Sequence, residues 1–294
     1  MSVRQRLQNV ATKTGEPFQL VMERFVVERF LFRLGQSRQA DLFIVKGATL
    51  FWVWSGEAHR PTRDLDMLSI GDASDQSLRA ALIEICTIEA ADGLTFDLES
   101  LTIEPIREDN EYGGTRAVMT TRLGSARLRF QVDVGVGDAV TPAATPQQFP
   151  SLLGMDAPTI RCYPVETVIA EKLEAIVSRG ADNSRMKDFY GLFFIFETFE
   201  LEGPVVAEAI KRTFGRRGTQ IPSEIPYALT ETFFTGQRQI RQWEAFVGKS
   251  RLADSASFAT ICQAIDQFSR PLFAALREGS ESSDRWIDMH WIGR

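Results

Sequence analysis

The chain has 294 residues and a formal net charge of −6, with 33 Lys and Arg against 39 Asp and Glu. This length predicts one large domain or two ordinary ones, and an apolar share of 44% is that of a soluble globular protein. No apolar run approaches the roughly 20 residues that span a bilayer, and the N-terminus lacks the apolar segment of a secretory signal. We therefore expect a cytoplasmic protein without a membrane partner. The acidic balance argues against non-specific coating of nucleic acid.

Cysteine and histidine usage excludes several kinds of site. Cys86, Cys162 and Cys262 are an odd number, lie far apart and form no Cys-x-x-Cys pair. This pattern is typical of buried free thiols in a reducing compartment. Since His59 and His290 are the only histidines, neither a zinc site nor a Ser-His-Asp triad is expected.

The elements in chain order predict an α/β (α+β) fold with two lobes. Residues 17–34 have helical periodicity, with Arg24, Glu28 and Arg29 on the outer face. A strand at 41–45 then leads into a turn and a short helix. Further strands are predicted at 64–70, 94–103, 115–123 and 127–134, and a helix at about 75–91. Residues 141–158 have no clear period and are interpreted as a connection. Beyond it the chain is almost wholly helical, so the predicted lobes are 1–158, with a mixed sheet, and 159–294.

Two carboxylates and a preceding turn indicate phosphate chemistry. Asp64 and Asp66 are two positions apart on a predicted strand, so they project to the same face. Two adjacent like charges are costly unless a cation neutralises them, and Mg²⁺ binds carboxylates together with substrate phosphates. The turn Lys46-Gly47-Ala48 opens a helix whose backbone N–H groups could hold a phosphate. Together these features predict a nucleotidyltransferase site, although Asp-x-Asp alone also occurs on ordinary surface strands.

A third carboxylate, Asp133, ends the polar row of the alternating strand 128–134. If this strand lies beside the Asp64 strand, three acids converge on a metal cluster for in-line phosphoryl displacement. Asp133 would then be a metal ligand or a base for the attacking hydroxyl. The alternative is a solvated strand face.

Three charged residues mark the start of the helical lobe. Lys172 lies in the middle of the apolar stripe of the helix that follows Pro164, where either snorkelling or contact with an anionic ligand explains it. Arg185 and Asp188 lie beside a very apolar helix. Asp188 either interacts with the helix dipole or lines a cleft.

A basic stretch follows in the same lobe, with eight Lys or Arg residues against three Glu between 211 and 251. Its basic members are Lys211, Arg212, Arg216, Arg217, Arg238, Arg241, Lys249 and Arg251. The stretch is either a solvated helix surface or a platform for an RNA backbone.

Five sequence blocks together resemble the nucleotidyltransferase-like toxins of the AbiEii/AbiGii type, which include the MenT toxins. The blocks are Phe30–Leu34, Phe43–Ala48, Arg60–Asp66, Ala170–Leu173 and Arg185–Tyr190. Their joint order and spacing is far more specific than any one block. The terminal third of the chain carries no matching motif.

The resemblance implies a Mg²⁺-dependent enzyme that adds nucleotides from an NTP to the tRNA 3′ acceptor end and is restrained by a cognate antitoxin. It implies catalytic roles for Asp64, Asp66, Lys172 and Asp188. It further implies nucleotide binding by Lys46, Gly47, Ala48, Thr62, Lys172 and Arg185, and metal binding at the Asp64–Asp66 pair. The site would combine a nucleotidyltransferase-like lobe with a helical lobe that contributes Lys172 and Asp188 to a cleft.

Two departures and two alternatives accompany this resemblance. Ala48 replaces the second glycine of the family turn, and Gly191 replaces an acidic residue often found after the tyrosine of the last block. The acceptor could instead be a Ser, Thr or Tyr of a partner protein. The chain could also be a catalytically silent module that binds nucleotide or a partner.

Overall fold

A mixed sheet and a group of helices occupy separate parts of the chain in the computed structural model. The structure describes residues 1–56, 64–106, 113–250, 252, 256–280 and 284–293. Two units are distinguished by their internal contacts. The sheet unit comprises residues 1–138 and 144–163, and the helical unit comprises residues 139–143 and 164–294.

The sheet unit contains a mixed sheet, as the sequence predicted, and seven strands of it lie within the described residues. Its helices are α1 (Val3–Thr14), α2 (Phe18–Gln36), α3 (Thr49–Ser55) and α4 (Asp75–Thr87). Its strands are β1 (Phe43–Lys46), β2 (Asp64–Ser69), β3 (Leu94–Pro105), β4 (Gly114–Leu123), β5 (Ala126–Val136), β6 (Thr145–Gln148) and β7 (Thr159–Cys162). The strand order is β3-β4-β5-β2-β1-β7-β6. The β2–β5 and β1–β7 pairs are parallel, and the others are antiparallel.

Alternation along β2 and β5 decides which face of the sheet is polar. Leu65 and Met67 on β2 are fully buried. On β5, Phe130, Val132 and Val134 are each no more than 2% exposed. Side chains two apart on a strand share a face, so the residues between them emerge on the opposite side. The predicted alternation is confirmed, and it places the acidic residues of both strands on one face.

Charged residues of α2 that the sequence placed outside are in fact buried. Glu28 is 0% exposed and Arg29 3% exposed. Arg29 and Arg33 both bind Asp92, which is itself fully buried, with N–O distances of 2.6–3.1 Å. Burial raises the pKa of Asp92, but the arginines and a backbone N–H more than offset this and hold it below its usual range. The network ties α2 to the loop before β3.

The segment interpreted as a simple connection contains a strand and a tether. Thr145–Gln148 form β6, which pairs with β7. Periodicity did not reveal this strand because all four of its residues are exposed. Glu28 accepts hydrogen bonds from the backbone N–H of Leu152 and the hydroxyl of Ser151 at 2.9 and 3.1 Å. The segment is thereby fixed to the sheet unit.

The described residues of the helical unit form six α-helices and a small sheet. The helices are α5 (Val165–Arg179), α6 (Met186–Thr198), α7 (Gly203–Arg216), α8 (Glu231–Phe234), α9 (Gln237–Ser250) and α10 (Phe258–Glu278). The strands β8 (Leu201–Glu202), β9 (Arg285–Ile287) and β10 (His290–Ile292) form a sheet that the sequence did not predict. Phe196 stacks on Phe268 at 4.0 Å, and the indole of Trp286 donates to the Phe196 carbonyl at 3.1 Å. An aromatic core thus joins α6, α10 and the small sheet.

The three cysteines are free thiols, as predicted. Burial raises the pKa of Cys86 and of Cys162 to about 12 and also raises that of Cys262. Within the described ranges, every helix is too short or too polar to span a lipid bilayer.

Candidate active site

The predicted carboxylates occupy adjacent positions on the polar face of the sheet. Asp64 and Asp66 are half-buried on β2, alternating with fully buried Leu65 and Met67. Strand pairing sets Asp66 opposite Asp133 on β5 and opposite Lys46 on β1. The sheet therefore aligns one cationic and two anionic side chains across three neighbouring strands, with Asp64 two residues away on the same face. We call Lys46, Asp64, Asp66 and Asp133 the carboxylate row.

The turn between β1 and α3 requires glycine at position 47 for two reasons. Gly47 has φ +72°, a left-handed conformation that residues with a Cβ adopt at a cost. A Cβ built on Gly47 would also lie 2.0 Å from Oδ2 of Asp66. The backbone turn thus packs directly against the Asp66 carboxylate. Ala48, which follows with φ −70°, is in an ordinary helical conformation and tolerates a side chain.

Asp133 is held by neighbours on its own sheet. Arg116 on β4 binds both carboxylate oxygens, from Nε to Oδ1 at 2.8 Å and from Nη2 to Oδ2 at 2.7 Å. The amide of Gln131 donates to Oδ1 at 3.1 Å. A carboxylate has about four lone-pair sites, so these three hydrogen bonds leave room for about one more. This bidentate arginine fixes the orientation of the Asp133 side chain.

Lys46 also has a defined environment. Its Nζ lies 2.5 Å from Oδ2 of Asp138, and the Tyr163 hydroxyl donates to the same oxygen at 3.2 Å. The ammonium group is 5.6 Å from the centre of the Tyr163 ring, within cation–π range. These contacts hold Lys46 in place within the carboxylate row.

The donor set of this row fits a hard divalent cation shared with a phosphate. Among the residues that the structure describes, no three His, Cys, Asp or Glu side chains converge on a common metal position. Mg²⁺ is commonly held by one or two carboxylates and completed by substrate phosphates and water. Asp64 and Asp66, on one strand face beside a glycine turn, are suited to that kind of binding.

The remaining predicted residues form a separate cluster in the helical unit. Lys172 on α5 donates from Nζ to Oδ1 of Asp188 at 2.7 Å, and Arg185 donates from Nε to Oδ2 at 2.7 Å. The Asp188 side chain is only 4% exposed. Burial raises its pKa, but the two cations outweigh this effect and hold the pKa well below its usual range. Lys172 therefore has a protein partner. The sequence had indicated only snorkelling or contact with a ligand.

Sequence reasoning missed several residues that hold the carboxylate row in place. Arg116, Gln131, Asp138 and Tyr163 were not among the candidates, although Asp138 ends a Gly-x-Gly-Asp segment, residues 135–138, that begins within β5. Pairing of Arg116 with Asp133 requires the register of β4 and β5, which periodicity does not give. Thr62, and the whole Arg60–Arg63 part of its motif, lies outside the described residues.

The basic stretch of the helical unit is partly neutralised. Arg217 binds Glu174 at 2.7 Å and Glu171 at 3.4 Å, and Arg212 binds Glu208 at 2.6 Å. All three acids lie outside the counted window of residues 211–251. The charge excess read along the sequence therefore overstates the excess in space.

Two solved structures share the fold at low sequence identity. JHP933 from Helicobacter pylori is 13% identical, with a TM-score of 0.50, over 89% of this chain and 94% of that one. A proposed nucleotidyltransferase from H. pylori is also 13% identical, with a TM-score of 0.51, over 90% of this chain and 99% of the other. These similarities confirm the predicted α/β fold class. Curated proteins gave no match.

The family assignment comes from sequence and covers most of the chain. A model of the AbiEii nucleotidyl transferase toxins, of type IV toxin–antitoxin systems, matches residues 29–268. The match includes every described candidate residue of both clusters. The chain therefore belongs to the AbiEii family of nucleotidyltransferase toxins, as its motifs indicated.

Proposed function

We propose that this toxin transfers a nucleotide from an NTP to the 3′-hydroxyl of a tRNA, releasing pyrophosphate and blocking translation. The observation that carries the proposal is the alignment of Lys46, Asp66 and Asp133 across three neighbouring strands, with the Gly47 turn against Asp66. A phosphoryl group in transfer needs a cationic and metal-binding environment more than it needs a covalent nucleophile. The row offers both components.

Each residue of the row has a distinct role in this proposal. Asp64 and Asp66 would hold Mg²⁺, which when bound would neutralise charge on the triphosphate and on the attacking oxygen. Lys46, held by Asp138, would bind a phosphate oxygen as a fixed point charge. The Gly47-Ala48 turn would bring backbone N–H groups close to the phosphates. Asp133, held by Arg116, would use its remaining lone pair for the metal or the acceptor hydroxyl.

Lys172, Arg185 and Asp188 have the roles that the family resemblance implies. Lys172 and Arg185 would contact the nucleotide, and Asp188 would position both cations through its two ion pairs. An arginine or lysine that is already ordered loses less entropy when it binds a phosphate. In this proposal Asp188 is a positioning residue.

The partners follow from the same proposal. NTP and tRNA are the substrates, Mg²⁺ is the cofactor, and a cognate antitoxin protein restrains the activity. Support for the antitoxin comes from the type IV toxin–antitoxin family to which the chain belongs.

Incubation of the purified chain with total tRNA and each of the four labelled NTPs, with Mg²⁺ or with a chelator, tests the proposal. We expect label on tRNA with at least one NTP, only with Mg²⁺, and none with Asp64→Asn. If the label is found on a protein while the tRNA stays unmodified, the acceptor is a protein and not tRNA. Absence of transfer to any acceptor, despite NTP binding, would contradict the enzymatic function.

A further inference from the structure

A second charged surface lies on the same face of the sheet as the carboxylate row. Arg122 near the end of β4 and Arg127 and Arg129 at the start of β5 are exposed there, and we call these three residues the arginine face. They line a pocket of about 360 Å³ together with Asp97, Val118 and Thr120. No role in the proposed chemistry uses these arginines.

Charge at the arginine face is poorly balanced within the sheet unit. Arg122 lies directly opposite Arg127 in the antiparallel β4–β5 pair, and like charges at such positions are destabilising. Nη2 of Arg122 lies 3.5 Å from Oδ2 of Asp97, which is a long ion pair, and the Arg122 side chain is 47% exposed. Within the described part of the chain, Arg127 and Arg129 form no ion pair. An external anion would relieve this repulsion.

The arginine face is continuous with the carboxylate row along a single strand. Arg127, Arg129, Gln131 and Asp133 are successive alternate residues of β5 and point to the same side. Successive positions on one face are about 6.6 Å apart, so the two arginines lie roughly 13 and 20 Å from Asp133 along the strand. A chain molecule whose reacting end lies at the carboxylates can therefore reach both arginines within a few repeating units.

We propose that the arginine face binds the phosphodiester backbone of the RNA acceptor, upstream of the 3′-hydroxyl that receives the nucleotide. This inference rests on the proposed function. The guanidinium fork pairs bidentately with phosphate, and its plane can stack on an unpaired base. The pocket beside it, with Val118 and Thr120 in its lining, offers room for a base as well as a phosphate. An acidic protein surface would satisfy the charge but would leave this pocket unused.

The test compares RNA binding by the full chain and by Arg127→Gln/Arg129→Gln, using a short single-stranded RNA at several salt concentrations. We expect about tenfold weaker binding at low salt and a log–log salt slope shallower by about 1.4, since two phosphate contacts on a single strand are removed. Arg38→Gln/Arg277→Gln removes two other exposed arginines and should leave both quantities unchanged. Thermal melts of both variants verify folding.

Two further measurements separate this inference from the proposed function. NTP affinity of the Arg127/Arg129 variant should equal that of the unmodified chain, because the triphosphate is assigned to other residues. Unchanged RNA affinity in this variant would overturn the inference even if transfer to tRNA is confirmed. Displacement of the RNA by polyglutamate as effectively as by unlabelled RNA of equal charge would also overturn it, in favour of an acidic protein partner. Loss of RNA affinity in this variant would support RNA binding at the arginine face even if transfer to tRNA fails.

Discussion

The two clusters of charged residues in this chain are built in opposite ways. In the sheet unit, Asp64 and Asp66 lie half-buried side by side on one strand face. In the helical unit, one buried carboxylate, Asp188, is enclosed by Lys172 and Arg185 at 2.7 Å each. The first arrangement places two like charges side by side, whereas the second surrounds one carboxylate with two cations. Within one set of family motifs, acidic side chains therefore share one strand face in the sheet unit, whereas a single acid is neutralised by two cations in the helical unit.

The largest expected effect on stability is at Asp188. Asp188→Ala leaves Lys172 with no carboxylate in a poorly solvated position, and such a loss costs about 3–5 kcal/mol. Denaturant unfolding followed by tryptophan fluorescence measures this change. Asp64→Asn serves as the control from the other cluster and should change stability by less than about 1 kcal/mol. Equal losses of unfolding free energy in the two variants would show that the two clusters contribute equally to stability.

A smaller effect on stability is expected at the glycine turn. Gly47→Ala adds a methyl group 2.0 Å from Oδ2 of Asp66 in a left-handed conformation, with an expected cost of about 1–3 kcal/mol. Transfer activity should also fall, since Asp66 must move. Ala48→Gly is the matched control at the next position, where φ is −70°, and should cost less than about 1 kcal/mol. Full activity in Gly47→Ala would contradict the close packing of turn and carboxylate.

The smallest expected effect is a pH dependence that belongs to the helical unit. The pKa of Asp188 is lower in the folded chain than its usual value of 3.8, so its ion pairs contribute stability that is fully present above that value. This contribution is lost as the pH falls below 3.8 toward the folded pKa, because the unfolded chain then binds the proton more readily. Melting temperatures measured between neutral pH and pH 3 should fall less steeply for Asp188→Asn than for the unmodified chain. If the two plots of melting temperature against pH are parallel, the ion pairs of Asp188 do not contribute to the pH dependence of stability.

Much of the sheet and of the carboxylate row could be predicted from the sequence, because both depend on short-range patterns. Alternation of apolar and polar residues fixed the faces of β2 and β5, and spacing placed Asp64 beside Asp66. Buried Glu28 and Arg29 could not be predicted, because periodicity assigns charged residues to the outer face unless their partner is known. That partner for Arg29, Asp92, lies 63 residues away.

The sequence shows that Lys172 lies in an apolar stripe, but it does not show which group neutralises the lysine. A lysine in an apolar stripe indicated either a snorkelling side chain or a ligand contact, and the structure supplies Asp188 from the next helix instead. Lys172→Met is therefore expected to lose stability, since Asp188 would keep Arg185 alone. For the same reason, the charges of Arg212 and Arg217 could be weighed only once their acidic neighbours were known.

Comparison of Asp66→Asn with the unmodified chain in nucleotide transfer to tRNA tests the central claim most directly. Asn preserves the shape of the side chain beside Gly47, so melting temperatures should agree closely. Transfer should fall at least about a hundredfold, because several kcal/mol of charge stabilisation are removed from the reaction. Near-normal transfer by a well-folded Asp66→Asn protein would contradict the assignment of the carboxylate row as the active site.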